Sequence, residues 1–168
     1  TWLDETKNWY APGAAIPKAP AQASNNLDNC QHTVRAAALP EDQLVEAAGW
    51  TLTGAAQIYG ATTLVTGMAD AGGMCRPFDY KVFVFTNGDF SGTLSPLPMD
   101  SRTDGSLFQF DLYREGMIDA SFNRYAPNDA QCCASRESRL FYEVDTETNP
   151  PVLVPQLPGS IMTRPLPE

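Results

Sequence analysis

Positive charge is scarce in this chain of 168 residues. Eleven Lys and Arg stand against twenty Asp and Glu, a formal charge of −9. A surface so biased repels phosphate backbones and anionic lipid headgroups, which argues against nucleic acid and membrane surfaces as partners and mainly serves solubility. Histidine is scarcer still: His32 is the only one, and neither a G-x-S-x-G elbow nor a cysteine-peptidase signature accompanies it. Nucleophilic hydrolysis through a Ser-His-Asp or Cys-His set is therefore not supported. P-loop and G-x-G-x-x-G motifs are missing, so no nucleotide is indicated, and the chain carries no other cofactor signature. Nor does any apolar run approach the length of a membrane span. The chain opens on Thr1-Trp2 without an initiator methionine or an apolar leader core, as expected either of a chain whose signal segment has been removed or of a fragment.

What is present points to a globular protein. The apolar fraction is 43% and the aromatic fraction 10%, enough for one sizeable core at this length. Residues 1–39 read as an extended Pro/Ala-rich arm, punctuated by Pro12, Pro17 and Pro20 and by the turn formers Ser24-Asn25-Asn26. Trp2, Trp9 and Tyr10 within that arm suggest that it docks on the core or on a partner. A helix is expected from Pro40 to Ala48. It has proline at its first position, acids in its first turn and Gly49 at its stop, so that Trp50 meets Val45 in a Schellman-type contact.

Beyond Trp50 the pattern turns to β. Ala61–Met68 is rich in Thr and Val, and Tyr80–Thr86 is apolar on both faces apart from Lys81, as in a strand covered on both sides. Asn87-Gly88 is a strong hairpin signal and Asp89–Leu94 its return strand. In Leu107–Tyr113 the side chains of Phe108, Phe110 and Leu112 share one face. Glu115-Gly116 makes the next turn, Ile118, Ala120 and Phe122 line the following strand, and Leu140, Tyr142 and Val144 alternate in the last one. The expected fold is mainly β: an antiparallel meander of six to eight strands, as a curled sheet, barrel-like or a sandwich, with one short helix docked on it. Its expected domains are the arm at 1–39, a single β-rich domain at 40–155, and a Pro-rich tail at 156–168 that includes Pro158, Pro165 and Pro167.

Cys30, Cys75, Cys132 and Cys133 form an even set, which fits an oxidising compartment and allows three pairings. Consecutive side chains at a strand edge point to opposite faces, so the adjacent pair is expected to reach Cys75 and Cys30 separately. Each long-range bond would then contribute about 2–4 kcal/mol. The competing arrangements are a vicinal disulfide and a metal site that adds His32, although the C-x2-4-C spacing of structural zinc is missing.

Three further clusters carry candidate chemistry. Asp111, Glu115, Asp119, Glu143 and Asp145 are carboxylates of the kind a glycosidase pairs, although on alternating strands they read first as a solvated face. Pro98–Gly105 has Asp100 and Asp104 spaced as in a calcium loop, but Arg102 stands at a ligand position and no glutamate closes it. A turn held by Asp and Ser side chains is the simpler expectation. Arg76, Arg102, Arg114, Arg124, Arg136 and Arg139 concentrate in the second half, as an anion-binding patch or as partners of nearby acids.

Gly73-Met74-Cys75-Arg76-Pro77, Phe85–Pro96, Met99–Gly105 and Arg124-Tyr125-Ala126-Pro127 through Cys132-Cys133 resemble the LppP/LprE lipoprotein family of bacterial envelope proteins, over about residues 45–155. The resemblance implies an exported protein and brings no catalytic residues. It also implies an acylated cysteine at the mature N-terminus, yet Asn26-Leu27-Asp28-Asn29-Cys30 is too polar for a lipobox, so lipid anchoring is not supported by these residues. The functional expectation is an exported, periplasmic or extracellular, disulfide-crosslinked and non-enzymatic binding domain. It would meet an envelope partner or small ligand through a surface built from Arg76, Asp100, Arg102 and Asp104. The alternatives are a small envelope-polymer hydrolase using paired carboxylates, and a structural subunit that docks through its aromatic arm.

Overall fold

The computed structural model describes residues 2–4 and 9–164; Pro165 and Pro167 of the expected tail lie outside the described residues. Two short helices precede the strands, α1 (Asn26–Asn29) and α2 (Pro40–Ala47). The stop of α2 is the expected one: the Trp50 amide donates to Val45 O at 3.4 Å and the Gly49 amide to Glu46 O at 2.9 Å, which satisfies the last carbonyls. No helix among the described residues is long and apolar enough to cross a membrane.

Among the described residues nine strands follow, in two wholly antiparallel sheets. The first contains β1 (Thr51–Leu52), β2 (Gln57–Tyr59), β3 (Thr62–Ala71), β4 (Pro77–Thr86) and β5 (Asp89–Thr93) in the order β1-β3-β4-β5, with β2 also paired to β3. The second is the meander β6 (Leu107–Arg114), β7 (Met117–Arg124), β8 (Arg136–Asp145) and β9 (Val152–Thr163). The β4–β5 hairpin turns at Asn87-Gly88, both at positive φ, 50° and 83°, as such two-residue turns require.

The sheets share one core. Leu64, Met68, Val82 and Val84 from the first meet Ile118, Phe122, Leu140 and Tyr142 from the second. Phe83 and Phe85 point the other way, into a second cluster with Val45, Trp50 and Leu52 that Ile16 and Ala19 of the arm help to cover. This three-layer arrangement accounts for the doubly apolar pattern of Tyr80–Thr86. Lys81, on that covered face, donates from Nζ to the Tyr10 hydroxyl at 2.8 Å and to Pro96 O at 3.2 Å, so its buried ammonium is not left without acceptors.

The arm docks on the chain's own core. Trp2 is buried edge-on against Phe122 and Trp9, and its Nε1 donates to Gly105 O at 2.9 Å. Tyr10 meets Phe90 edge-on.

The structure differs from the sequence expectation in three places. A register shift between Leu107 and Gln109 turns Leu107 into the core and Phe108 outward, where the Arg164 guanidinium lies 3.9 Å above its ring. Of the tail expected at 156–168, residues 156–163 belong to β9, which pairs along β8 from Asp145↔Val152 to Arg136↔Thr163. The cysteine pairing also differs. Cys30 bonds Cys75, and Cys132 bonds Cys133, so Cys132 and Cys133 do not tie two distant segments. The alternation argument fails because the pair sits in a turn, with the Cys133 amide donating to Ala130 O at 2.9 Å, and not on a strand.

Candidate functional site

Three loops converge at one corner of the first sheet. The first joins β3 to β4. Its Gly72 amide donates to Arg76 O and its Cys75 amide to Gly72 O, both at 2.9 Å. The Cys30–Cys75 disulfide then straps it to the turn after α1. Asn26 Nδ2 donates to Ala71 O and Ser24 Oγ to the Asp70 carboxylate, so the arm reinforces the same end of β3. Because the Cys30 sulfur is held in this bond, it is not free for acylation.

The second loop follows β5. Met99 bridges to Tyr80, the Asp79 amide donates to Asp100 Oδ1 at 2.8 Å, and Ser101 Oγ donates to Pro77 O at 2.8 Å. Thr103 Oγ1 donates to Asp100 O and Ser106 Oγ to Thr103 O. This is a turn held by short polar side chains. Asp104 serves elsewhere, accepting from the Tyr125 amide at 2.8 Å and lying 3.6 Å from Arg124 Nε. The two aspartates spaced like calcium ligands thus hold different partners, and no cluster of three potential metal ligands occurs among the described residues. With every cysteine in a disulfide, the soft ligand set imagined around His32 is also gone; His32 itself lies exposed on the turn after Cys30.

The third loop links β7 to β8. Asp129 Oδ2 accepts from the Ser135 and Ala126 amides and from Ser135 Oγ, and these bonds hold the carboxyl below its usual range. Tyr125 donates its hydroxyl to Gln131 O at 2.6 Å, which fixes the loop near its tip.

Between the three loops lies a cavity of about 220 Å³. Arg76 and Met74 line it from the first loop, Phe78 from the start of β4, Arg102 from the second loop and Gln131 from the third. Met74 is 78% exposed and Phe78 37%, an apolar wall open to solvent beside two guanidinium groups. Among the described residues Arg76 and Arg102, like Arg114 and Arg136, have no carboxylate partner, whereas Arg35, Arg124, Arg139 and Arg164 each do. Cys75, Asp79 and Arg102 all hold positive φ, 62°, 49° and 63°. That conformation is uncommon for side-chain-bearing residues and persists only where the surroundings fix it.

The structure therefore brings together Arg76 and Arg102 of the four expected surface residues, while Asp100 and Asp104 brace the loops behind them. Met74, Phe78 and Gln131 were not anticipated as part of the site. Met74 lies next to Cys75 in a glycine-rich turn, and that juxtaposition was the one available signal; for Gln131 there was none. The carboxylates suited to a glycosidase lie elsewhere. Asp119 is bonded by Arg139, Glu115 Oε2 accepts from the Ala61 amide at 2.8 Å, and Asp145 Oδ1 accepts from the Glu147 amide.

No curated protein and no solved structure matches the chain. A family profile described as LppP/LprE lipoprotein does match, over residues 60–147, which takes in β3 to β8 and every residue named on the cavity wall. With that match over more than half of its length, the chain belongs to the LppP/LprE lipoprotein family, a membership that fits association with the cell envelope.

Proposed function

We propose that the protein is an exported, non-enzymatic binding domain of the envelope, and that the three-loop cavity takes an amphiphilic anion: a carboxylate or phosphate head carrying a short apolar group. The observation that carries this reading is the pair Arg76 and Arg102, two guanidiniums on one cavity that have no carboxylate partner among the described residues, in a chain of net charge −9. In so acidic a protein an unneutralised pair of guanidiniums supplies a local attraction for an anion, and their fork geometry suits carboxylate or phosphate oxygens. Met74 and Phe78 offer the apolar contact that such a ligand needs besides its charge. The Cys30–Cys75 disulfide supports an oxidising compartment.

The test is a titration of the oxidised, 15N-labelled protein with octyl phosphate and with octanoate, followed by amide shifts. The expected result is perturbation centred on Gly73, Arg76 and Arg102. The Arg76→Ala/Arg102→Ala variant should lose at least about tenfold in affinity at unchanged melting temperature, since neither side chain holds a structural partner among the described residues. Perturbations centred on another face, or undiminished binding by the variant, would overturn the assignment.

A further inference from the structure

We propose that Cys132–Cys133 is a dithiol-responsive modification site, and that its opening weakens binding in the adjoining cavity; the second half of this inference rests on the reading just given. The bond joins neighbours in sequence, Cα atoms 3.8 Å apart. A crosslink that encloses no chain restricts the unfolded ensemble hardly at all, so by loop closure it does nothing for the fold. Cys30–Cys75, at a sequence separation of 45, has that role to itself.

The two bonds also differ in access. Cys132 and Cys133 are both exposed, whereas in the other bond Cys30 is 1% exposed and Cys75 half-buried. Thiol–disulfide exchange requires a thiolate to reach a sulfur, so an incoming dithiol meets the vicinal bond first. A thiolate of the dithiol attacks one of the two sulfurs, the Cys132–Cys133 bond breaks, and the other cysteine leaves as a thiolate that takes up a proton. The dithiol's second sulfur then attacks the mixed disulfide and releases the remaining cysteine. The protein gains two electrons and two protons, and the dithiol is oxidised to its disulfide. A thioredoxin-type dithiol is the class of reductant that this chemistry fits.

The change is placed to act on the cavity. Gln131, the residue before the bond, forms part of its wall. The loop is pinned at its base by Asp129, through Ala126 and Ser135, and behind Gln131 by the Tyr125 hydroxyl. Once the ring opens, these anchors confine the new freedom to residues 130–134, the segment that includes the wall.

The experiment uses the full oxidised chain and dithiothreitol as the dithiol. Graded reduction, alkylation and mass mapping should show Cys132 and Cys133 modified together while Cys30 and Cys75 remain bonded. Amide shifts on reduction should be confined to residues 125–135 and to Gly73 and Arg102. Octyl phosphate should bind the reduced protein about fivefold more weakly than the oxidised one, and the Cys132→Ser/Cys133→Ser variant should bind as the reduced protein does, with or without reductant. Modification of Cys30 and Cys75 first, or affinities of the two forms within about twofold, overturns this proposal and leaves the cavity reading standing. Failure of the oxidised protein to bind overturns the cavity reading and, with it, the second half of this proposal.

Discussion

Asp42 is fully buried and remains charged because its two oxygens meet four donors. Arg35 Nη2 donates to Oδ1 at 2.6 Å, while Arg35 Nη1 and the Ala38 and Leu39 amides donate to Oδ2 at 2.8–2.9 Å. These bonds, the Arg35 guanidinium first, lower its pKa to about 2. At the third position of α2 the same carboxylate supplies half of a capping box, since Leu39 at the N-cap has no side-chain acceptor to return the bond. The folded value lies below the unfolded one of about 4, so its stabilisation is present above pH ~4 and is lost as pH falls toward 2. Asp42→Asn should cost about 2 kcal/mol near neutrality, because it leaves a part-buried guanidinium without its carboxylate. Urea titrations across pH 2–5 should then show a flatter stability profile for the variant than for the parent. That Asp42 would sit at a helix start was legible from the acids after Pro40. Its partner was not: Arg35 lies in a segment that reads as coil, and only the fold brings it round.

Between the sheets, the seam along β2 and β6 is made by side chains standing in for a strand ladder. Gln57 donates from Nε2 to Phe110 O at 3.1 Å and accepts from the Leu112 amide at 2.8 Å. The Gly116 amide donates to Thr62 Oγ1, and Glu115 reaches the Ala61 amide. Gly60 permits that approach: at φ +58° a Cβ placed there would fall 1.7 Å from Glu115 Oε2. Gly60→Ala should therefore destabilise by about 1–3 kcal/mol through both the strained backbone and the displaced glutamate. Gly60→Asn, a residue that tolerates positive φ but still carries a Cβ, should recover only the backbone share; full recovery in calorimetry would mean that the glutamate contact contributes nothing. At this scale the long strands were legible from their alternation and the hairpins from Asn87-Gly88 and Glu115-Gly116. The two- and three-residue strands β1 and β2 were not, because so short a segment shows no period. Strand β9 was hidden by Pro155 and Pro158, which an edge strand tolerates. For the site, Arg76 and Arg102 stood out as arginines in polar loops; their meeting depends on the Tyr80–Met99 bridge, a long-range contact without local signature.

The two sheets are also stitched by a reciprocal pair of phenols. Tyr80 of the first donates to Leu107 O at the start of the second, and Tyr142 of the second donates to Leu94 O at the end of the first. Burial raises both phenols well above their ordinary range. With folded values above the unfolded one of about 10, the stability they confer is intact below pH ~10 and is lost as pH climbs beyond it. The molecule should therefore undergo cooperative alkaline unfolding, and Tyr80→Phe/Tyr142→Phe should shift that transition to higher pH while lowering stability near neutrality by about 1–3 kcal/mol. A transition unmoved by both substitutions would place its cause elsewhere. The burial of Lys81 has a practical sequel as well. The sequence holds three lysines, Lys7, Lys18 and Lys81. Lys81 is enclosed with Tyr10, while Lys18 is exposed next to Ala19, whose amide is bonded to Ala48 O at the end of α2. Among the described residues, amine-reactive dyes, biotin esters and sensor-chip couplings therefore find Lys18 beside the end of α2, and none of the three loops at the cavity offers them a lysine.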